Sequence, residues 1–215
     1  MSKFDGLLMA SGGLDSTVLA YKLLSEGKNI IPLFINYGQH FHKTEEERFL
    51  EVLPPEFIKN YQKIDVSDVF KNSQSIMVKK IDLTKEKVTD DDVFLPYRNM
   101  YLLSSAVAFA SSISVKDVYS AFINSNHAKE IDATSNFLDY ISNYFQTIGD
   151  VKLHMPLRNM TKAEVLKLGI NLASPVERTF SCQVYEHVHC GACANCVDRQ
   201  NAFNEVIASE RSSKS

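Results

Sequence analysis

The sequence has no long hydrophobic run, no excess of basic charge, no apolar leader and no internal repeat. Each absence narrows what the protein can be. The longest strongly apolar stretch, residues 102–113, is broken by four serines and is too short to cross a bilayer as a helix. Lys3 and Asp5 interrupt the short apolar stretch at the start, so no secretory signal is expected and the cytoplasm is the expected location. Lysine and arginine total 23 against 26 aspartates and glutamates, a net charge of −3. A broad nucleic-acid surface normally needs a basic excess, so nucleic acid is not an expected partner. Cysteine stops at four, and in a reducing compartment four cysteines suit metal ligation better than disulfides. What remains is an ordinary globular composition over 215 residues, long enough to bury a sizeable core.

Hydrophobic patterning gives the expected organisation. Residues 6–10 are an apolar run that feeds a glycine turn, and residues 16–25 have helical spacing with Gly27 as a stop. Residues 29–36 read as a second strand, 42–53 as a charged helix ended by Pro54-Pro55, and 61–66 as a third strand. Strands alternating with helices imply a parallel sheet with helices on both faces, a Rossmann-like α/β fold. Residues 71–92 are polar and aperiodic and read as a long loop that can order over substrate. Further on come a helix at 98–112, a strand at 117–123, a helix at 130–148 and a short extended piece at 152–157. Thr161-Lys162-Ala163-Glu164 has the capping-box form and opens another helix. From Ser174 the chain turns loop-like and cysteine-bearing, ending in a helix near 197–208. The expected division is therefore an α/β domain over 1–173 and a small metal-binding region over 174–215.

Ser11-Gly12-Gly13-Leu14-Asp15-Ser16 sits where the first strand meets the first helix. Adjacent glycines allow close backbone approach and positive φ. The amides that open the helix, together with its positive end, suit a phosphate, and Ser11 and Ser16 add hydroxyls. No Gly-Lys-Ser/Thr follows, so this is not a Walker loop, and the dinucleotide GxGxxG spacing is missing as well. A bare glycine pair would be read as a tight turn with a serine cap. The full string resembles the PP-loop of ATP-pyrophosphatases, which implies that residues 11–16, Leu14 included, bind the pyrophosphate end of ATP. It also implies Mg²⁺ on the phosphates, which Asp15 could hold.

Cys182, Cys190, Cys193 and Cys196 have the spacing C-x7-C-x2-C-x2-C. Four thiolates complete a tetrahedral zinc shell and leave no open position, which makes the expected site structural. An iron–sulfur cluster or a set of free core thiols remains the alternative at this level.

The two motifs together, with shorter ones in the same order, resemble the QueC family of 7-cyano-7-deazaguanine synthases. The shorter motifs are Asn36-Tyr37-Gly38-Gln39, Leu95-Pro96-Tyr97-Arg98-Asn99, Pro156-Leu157 with Lys162-Ala163-Glu164, and Thr179-Phe180-Ser181-Cys182 leading to Asp198-Arg199. The resemblance runs over nearly the whole chain. It implies an ATP-dependent ligase that adenylates 7-carboxy-7-deazaguanine, admits ammonia to form an amide, and uses a second ATP to reach the nitrile. It places Asp15, Arg98 and Lys162 at the reacting phosphates, Arg98 by the adenylate, and Tyr37, Gln39, Arg98, Asn99 and Asp132 around the substrate. It also implies a homodimer.

One stretch departs from the family pattern. Where QueC enzymes usually carry glycine-tyrosine-proline-aspartate-cysteine-arginine, residues 124–134 keep only Asp132, which can bond a guanine-like edge. Some QueC-like proteins of antiviral defence join a deazaguanine to another amine, including a protein N-terminus, and that is the second expectation. A tRNA-sulfurating PP-loop enzyme and a non-enzymatic zinc module rank below both. Committing all four cysteines to metal disfavours the former, and the intact glycine loop disfavours the latter.

Overall fold

The computed structural model describes residues 3–80, 90–123 and 133–212. Five strands, β1 (Gly6–Met9), β2 (Ile30–Asn36), β3 (Gln62–Asp65), β4 (Asp117–Ser120) and β5 (Lys152–His154), form one sheet in the order β3-β2-β1-β4-β5. Every neighbouring pair is parallel. The helices between them are α1 (Leu14–Ser25), α2 (His42–Val52), α3 (Pro55–Ile58), α4 (Asp90–Val93), α5 (Arg98–Ser112), α6 (Ser135–Ile148), α7 (Lys162–Asn171) and α8 (Ala194–Ser212). None of the described helices is long and apolar enough to cross a membrane.

Strand side chains alternate between two apolar layers, as the pleat requires. Leu8, Ile30, Phe34 and Tyr119 face α1, α2, α7 and α8, while Leu7, Ile31, Leu33, Ile35 and Val118 face α5 and α6. The expected Rossmann-like sheet with helices on both faces is thus the observed one. Ala202 and Val206 of α8 belong to the first layer, and α8 packs along α7. A third cluster joins Tyr37, Phe41, Met77 and Leu95 to Phe180, Cys182, Cys193 and Cys196. It connects the cysteine-bearing segment to the carboxyl end of the sheet.

Several boundaries differ from the sequence reading. The first helix begins at Leu14, so the glycine turn runs straight into it. The helix expected to stop at Pro54-Pro55 does stop, but Pro55 starts the short α3 because proline suits a first helical position. β4 ends at Ser120, three residues early, and 121–123 leave the sheet to line a cavity. Within the expected 71–92 loop, Ile76 and Met77 are buried and α4 forms at the far end, while 81–89 lie outside the described residues. Residues 130–132 of the helix expected at 130–148, Asp132 among them, also lie outside the described residues, and α6 begins at Ser135. The last helix is longer than its apolar spacing suggested, at both ends.

The capping box at α7 is complete. Glu164 N donates to Thr161 Oγ1 at 3.2 Å, and Thr161 N donates to Glu164 Oε2 at 2.7 Å. Thr161→Ala removes one half of this exchange and is expected to cost about 1 kcal/mol. A shift of the urea midpoint at unchanged slope is the check. Because the cap fixes where α7 starts, it also fixes Lys162, the first helical residue.

Candidate functional site

β1 has β2 on one side and β4 on the other, so the chain leaves its carboxyl end in opposite directions. Open α/β sheets form a crevice at such a point. Here it is a cavity of about 830 Å³. Ser11, Gly13, Leu14, Asp15, Ser16 and Lys162 line it. Tyr37, Gln39, Arg98 and Asn99 line it as well. Gly12 is not in the lining but holds the turn from behind. Asp132 lies outside the described residues, although the adjacent Ala133 lines the cavity.

The glycine turn is braced by its own hydroxyls. Ser11 N donates to Ser16 Oγ at 3.3 Å, Gly13 N to Ser11 Oγ at 3.3 Å, and Ser16 Oγ to Gly13 O at 3.1 Å. Gly13 is the N-cap of α1 and offers no side chain to the first amides of the helix. Such amides have no partner inside their own helix, and with the helix's positive end they suit an anion. Phe180 N donates to Gly12 O at 3.2 Å, which ties the cysteine-bearing segment to the turn.

Asp15 and Lys162 meet at this turn from distant parts of the sequence. Lys162 Nζ donates to Asp15 Oδ2 at 2.6 Å, while Asp15 Oδ1 is buried without a hydrogen-bond partner. A buried carboxylate oxygen left unsatisfied is costly. It fits the hard-oxygen preference of Mg²⁺ beside phosphates, so Asp15 is the residue that would hold that ion.

A second polar group lies on the connection after β2 and on α2 and α5. Tyr37 N donates to Gln39 Oε1 at 2.9 Å, and Gln39 Nε2 donates to Glu45 Oε2 at 2.9 Å. Arg98 Nε donates to Asn99 Oδ1 at 3.1 Å, and its Nη1 lies 2.8 Å from Met77 Sδ. Glu45 is partly open by area but faces the cavity, with protein on its other sides. Burial pushes its carboxyl up to about 7, opposed by the Gln39 hydrogen bond and the Arg98 charge. Burial, with the Glu45 charge, also raises Tyr37.

The sequence reading passed over Glu45 as one charge in a charged helix. The signal it carried was its place four residues before Phe49 and seven before Val52, both buried, which sets it on the inward stripe of α2.

Cys182, Cys190, Cys193 and Cys196 bring their sulfurs within 4.8 Å of one another. Cys190 and Cys196 Sγ are 3.9 Å apart, near the roughly 3.8 Å edge of a tetrahedron with zinc–sulfur bonds of about 2.3 Å. Backbone amides already point at these sulfurs, with Tyr185 N 3.2 Å from Cys182 Sγ and Cys193 N 3.2 Å from Cys190 Sγ. Such amides favour thiolates. The cluster can hold a metal ion such as zinc. Three of its cysteines are buried, and a closed four-sulfur shell leaves no position for substrate.

The sequence profile described as "Queuosine biosynthesis protein QueC" matches residues 5–207. A protein of Mesorhizobium japonicum named 7-cyano-7-deazaguanine synthase 1 is 32% identical over 212 residues, covering 93% of this chain and 89% of its own. One of the same name from Desulfitobacterium hafniense is 30% identical and covers 100% of this chain and 99% of its own. A 7-cyano-7-deazaguanine synthase of a Nitratiruptor species is 26% identical, covering 95% and 96%.

Proposed function

The chain belongs to the QueC family of queuosine biosynthesis proteins, and on that footing we propose that it is an ATP-dependent ligase converting 7-carboxy-7-deazaguanine and ammonia to 7-cyano-7-deazaguanine. The observation that carries the reading is the uncapped start of α1 with the Asp15–Lys162 pair beside it. One anion site, one cation-seeking oxygen and one ammonium share a single cavity wall.

The reaction follows from these groups. A carboxylate oxygen of the substrate attacks the α-phosphorus of ATP, and the bond to pyrophosphate breaks. The amides and hydroxyls of residues 11–16 hold the leaving pyrophosphate. Mg²⁺ on Asp15 Oδ1 would supply charge neutralisation there. Lys162 can exchange Asp15 for a phosphate oxygen, so its charge follows the negative charge as it develops. Arg98 stands by the adenylate, where its planar donors suit phosphoryl and carbonyl oxygens. Ammonia attacks the activated carbonyl carbon and AMP leaves, giving the amide. A second ATP is attacked by the amide oxygen, and that oxygen departs as AMP while the nitrogen loses two protons, leaving the nitrile. The protein's contribution is positioning and charge stabilisation. Tyr37, Gln39, Asn99 and Asp132 surround the substrate in this reading, and zinc in the cysteine cluster is structural. A cytoplasmic homodimer belongs to the same reading.

The test is to incubate the protein with ATP, Mg²⁺, 7-carboxy-7-deazaguanine and ammonium and to read products by mass spectrometry. AMP, pyrophosphate and the nitrile are expected. Asp15→Asn and Lys162→Ala are each expected to slow AMP release by about 100-fold or more, the usual effect of removing one preorganised charge-stabilising group. AMP with an adenylate or amide but no nitrile would replace ammonia by a different amine. No AMP with this carboxylate would sink the substrate assignment.

A further inference from the structure

We infer that Glu45, held by Gln39, is the residue that reads the guanine-type edge of the substrate by accepting its adjacent ring N–H and 2-amino donors. The inference rests on the deazaguanine reading above and assigns the recognition within it.

Position comes first. Phe49 of α2 lies directly behind Gly12 of the phosphate turn. Glu45 is one helical turn earlier on the same stripe, roughly 6 Å along the axis at 1.5 Å per residue. Its carboxylate therefore opens into the cavity within the reach of a small heterocycle whose reacting group is at the phosphates.

Orientation comes second. The Gln39 side chain is fully engaged. Its Oε1 accepts from Tyr37 N at 2.9 Å, and its Nε2 is shared between Glu45 Oε2 at 2.9 Å and Ile35 O at 3.4 Å. The amide that fixes Glu45 is thus itself fixed to the backbone at the end of β2, so the carboxylate is aimed before any ligand arrives. A Glu45 that only pinned the loop would satisfy Gln39 equally well, but it would have no reason to open into the cavity.

Chemistry comes third. The ionised carboxylate offers acceptors only, and it is the form that two ring donors stabilise, against the burial that raises Glu45. The edge of adenine sets a donor beside an acceptor, which an amide side chain matches and a carboxylate does not. The edge of a guanine-type ring sets two donors side by side, which a carboxylate matches with both oxygens. ATP is therefore the wrong occupant for Glu45 and the deazaguanine the right one. The charged and titratable groups bearing on Glu45 are Arg98 of α5 and the Tyr37 hydroxyl. Within the described residues the Arg98 guanidinium is engaged by Asn99, Met77 and the Tyr37 hydroxyl and closes no ion pair with Glu45.

The test compares 7-carboxy-7-deazaguanine with the same compound lacking its 2-amino group, by calorimetric binding and by AMP release. Wild-type protein is expected to prefer the amino compound by roughly 10- to 100-fold, the range for one paired base contact. Glu45→Gln is expected to shrink that preference to within about threefold while ATP binding is kept, and Glu45→Asp to recover part of it. The wild-type comparison needs no variant to fold, and a wild type indifferent to the amino group overturns the inference. So does a Glu45→Gln protein that weakens both compounds equally, which is a structural role, or one that weakens ATP instead, which is adenine recognition. Asp132→Asn run alongside settles which carboxylate sets the preference, and loss there alone also overturns it. Should wild-type protein release no AMP with either compound, the proposed function itself fails and takes this assignment with it.

Discussion

Gly12→Ala is expected to lower kcat/KM for AMP release by at least about 100-fold and to destabilise the chain by about 2–4 kcal/mol. Gly12 has φ +75°, a left-handed conformation that costs an L side chain about 1 kcal/mol. The greater part of the cost is steric. A Cβ there would stand 2.5 Å from Phe49 N, 2.8 Å from Phe49 Cα and 3.0 Å from Arg48 C. All three are backbone atoms of a packed helix, and no rotamer change relieves them. Either the turn opens, which disperses the amides at the start of α1, or α2 shifts and takes Glu45 with it. Gly27→Ala separates the two contributions. Gly27 has a similar φ of +72° but open space where its Cβ would go, so it should lose about 1 kcal/mol of stability and no turnover. Thermal melts and AMP release on both variants are the measurement. Equal turnover in the two would show that the α2 contact is irrelevant.

The second large effect is removal of metal from the cysteine cluster. Cys193 and Cys196 sit at the start of α8, whose Ala202 and Val206 reach the main core. Cys182 follows Phe180 and Ser181, which line the cavity. A single ion bound there would close the root of α8 and the cavity wall together, and its loss would leave four thiols with no framework between them. Chelation, or Cys193→Ser, is expected to lower the Tm by at least about 10 °C, corresponding to about 3 kcal/mol or more for a chain of this size. Activity should fall in parallel, because the Phe180–Gly12 hydrogen bond depends on that wall. Metal content by plasma mass spectrometry should read one zinc per chain before chelation. A demetallated protein with an unchanged melt would remove zinc from the folding account.

The parts legible in the sequence are those whose signal is local. The β1–turn–α1 unit shows itself because an apolar run, two glycines and a serine are consecutive. The α7 cap does so because both of its partners lie within four residues. The cysteine cluster is legible because three of its ligands fall within seven positions. The other findings depend on contacts made across the chain. Lys162 finds Asp15 from 147 positions away. Glu45 looks like a solvent charge until Phe49 is seen against Gly12. Ile76 and Met77 lie in a segment with no periodicity and are buried only because Phe41, Leu95 and Phe180 converge on them. β4 ends early because the cavity, not the apolar pattern of 121–123, decides where the sheet stops.

The contact between Phe180 and Gly12 has a consequence for the order in which the protein is made. Gly12 emerges from the ribosome long before Phe180 does. The central strand and its glycine turn must wait until the segment around Phe180 is made before their final brace exists. A nascent chain cut short before the cysteines would carry the whole glycine motif and every strand of the sheet, yet lack the wall behind the turn. The brace on the turn therefore forms only once the cysteine-bearing segment has been made and folded back onto it.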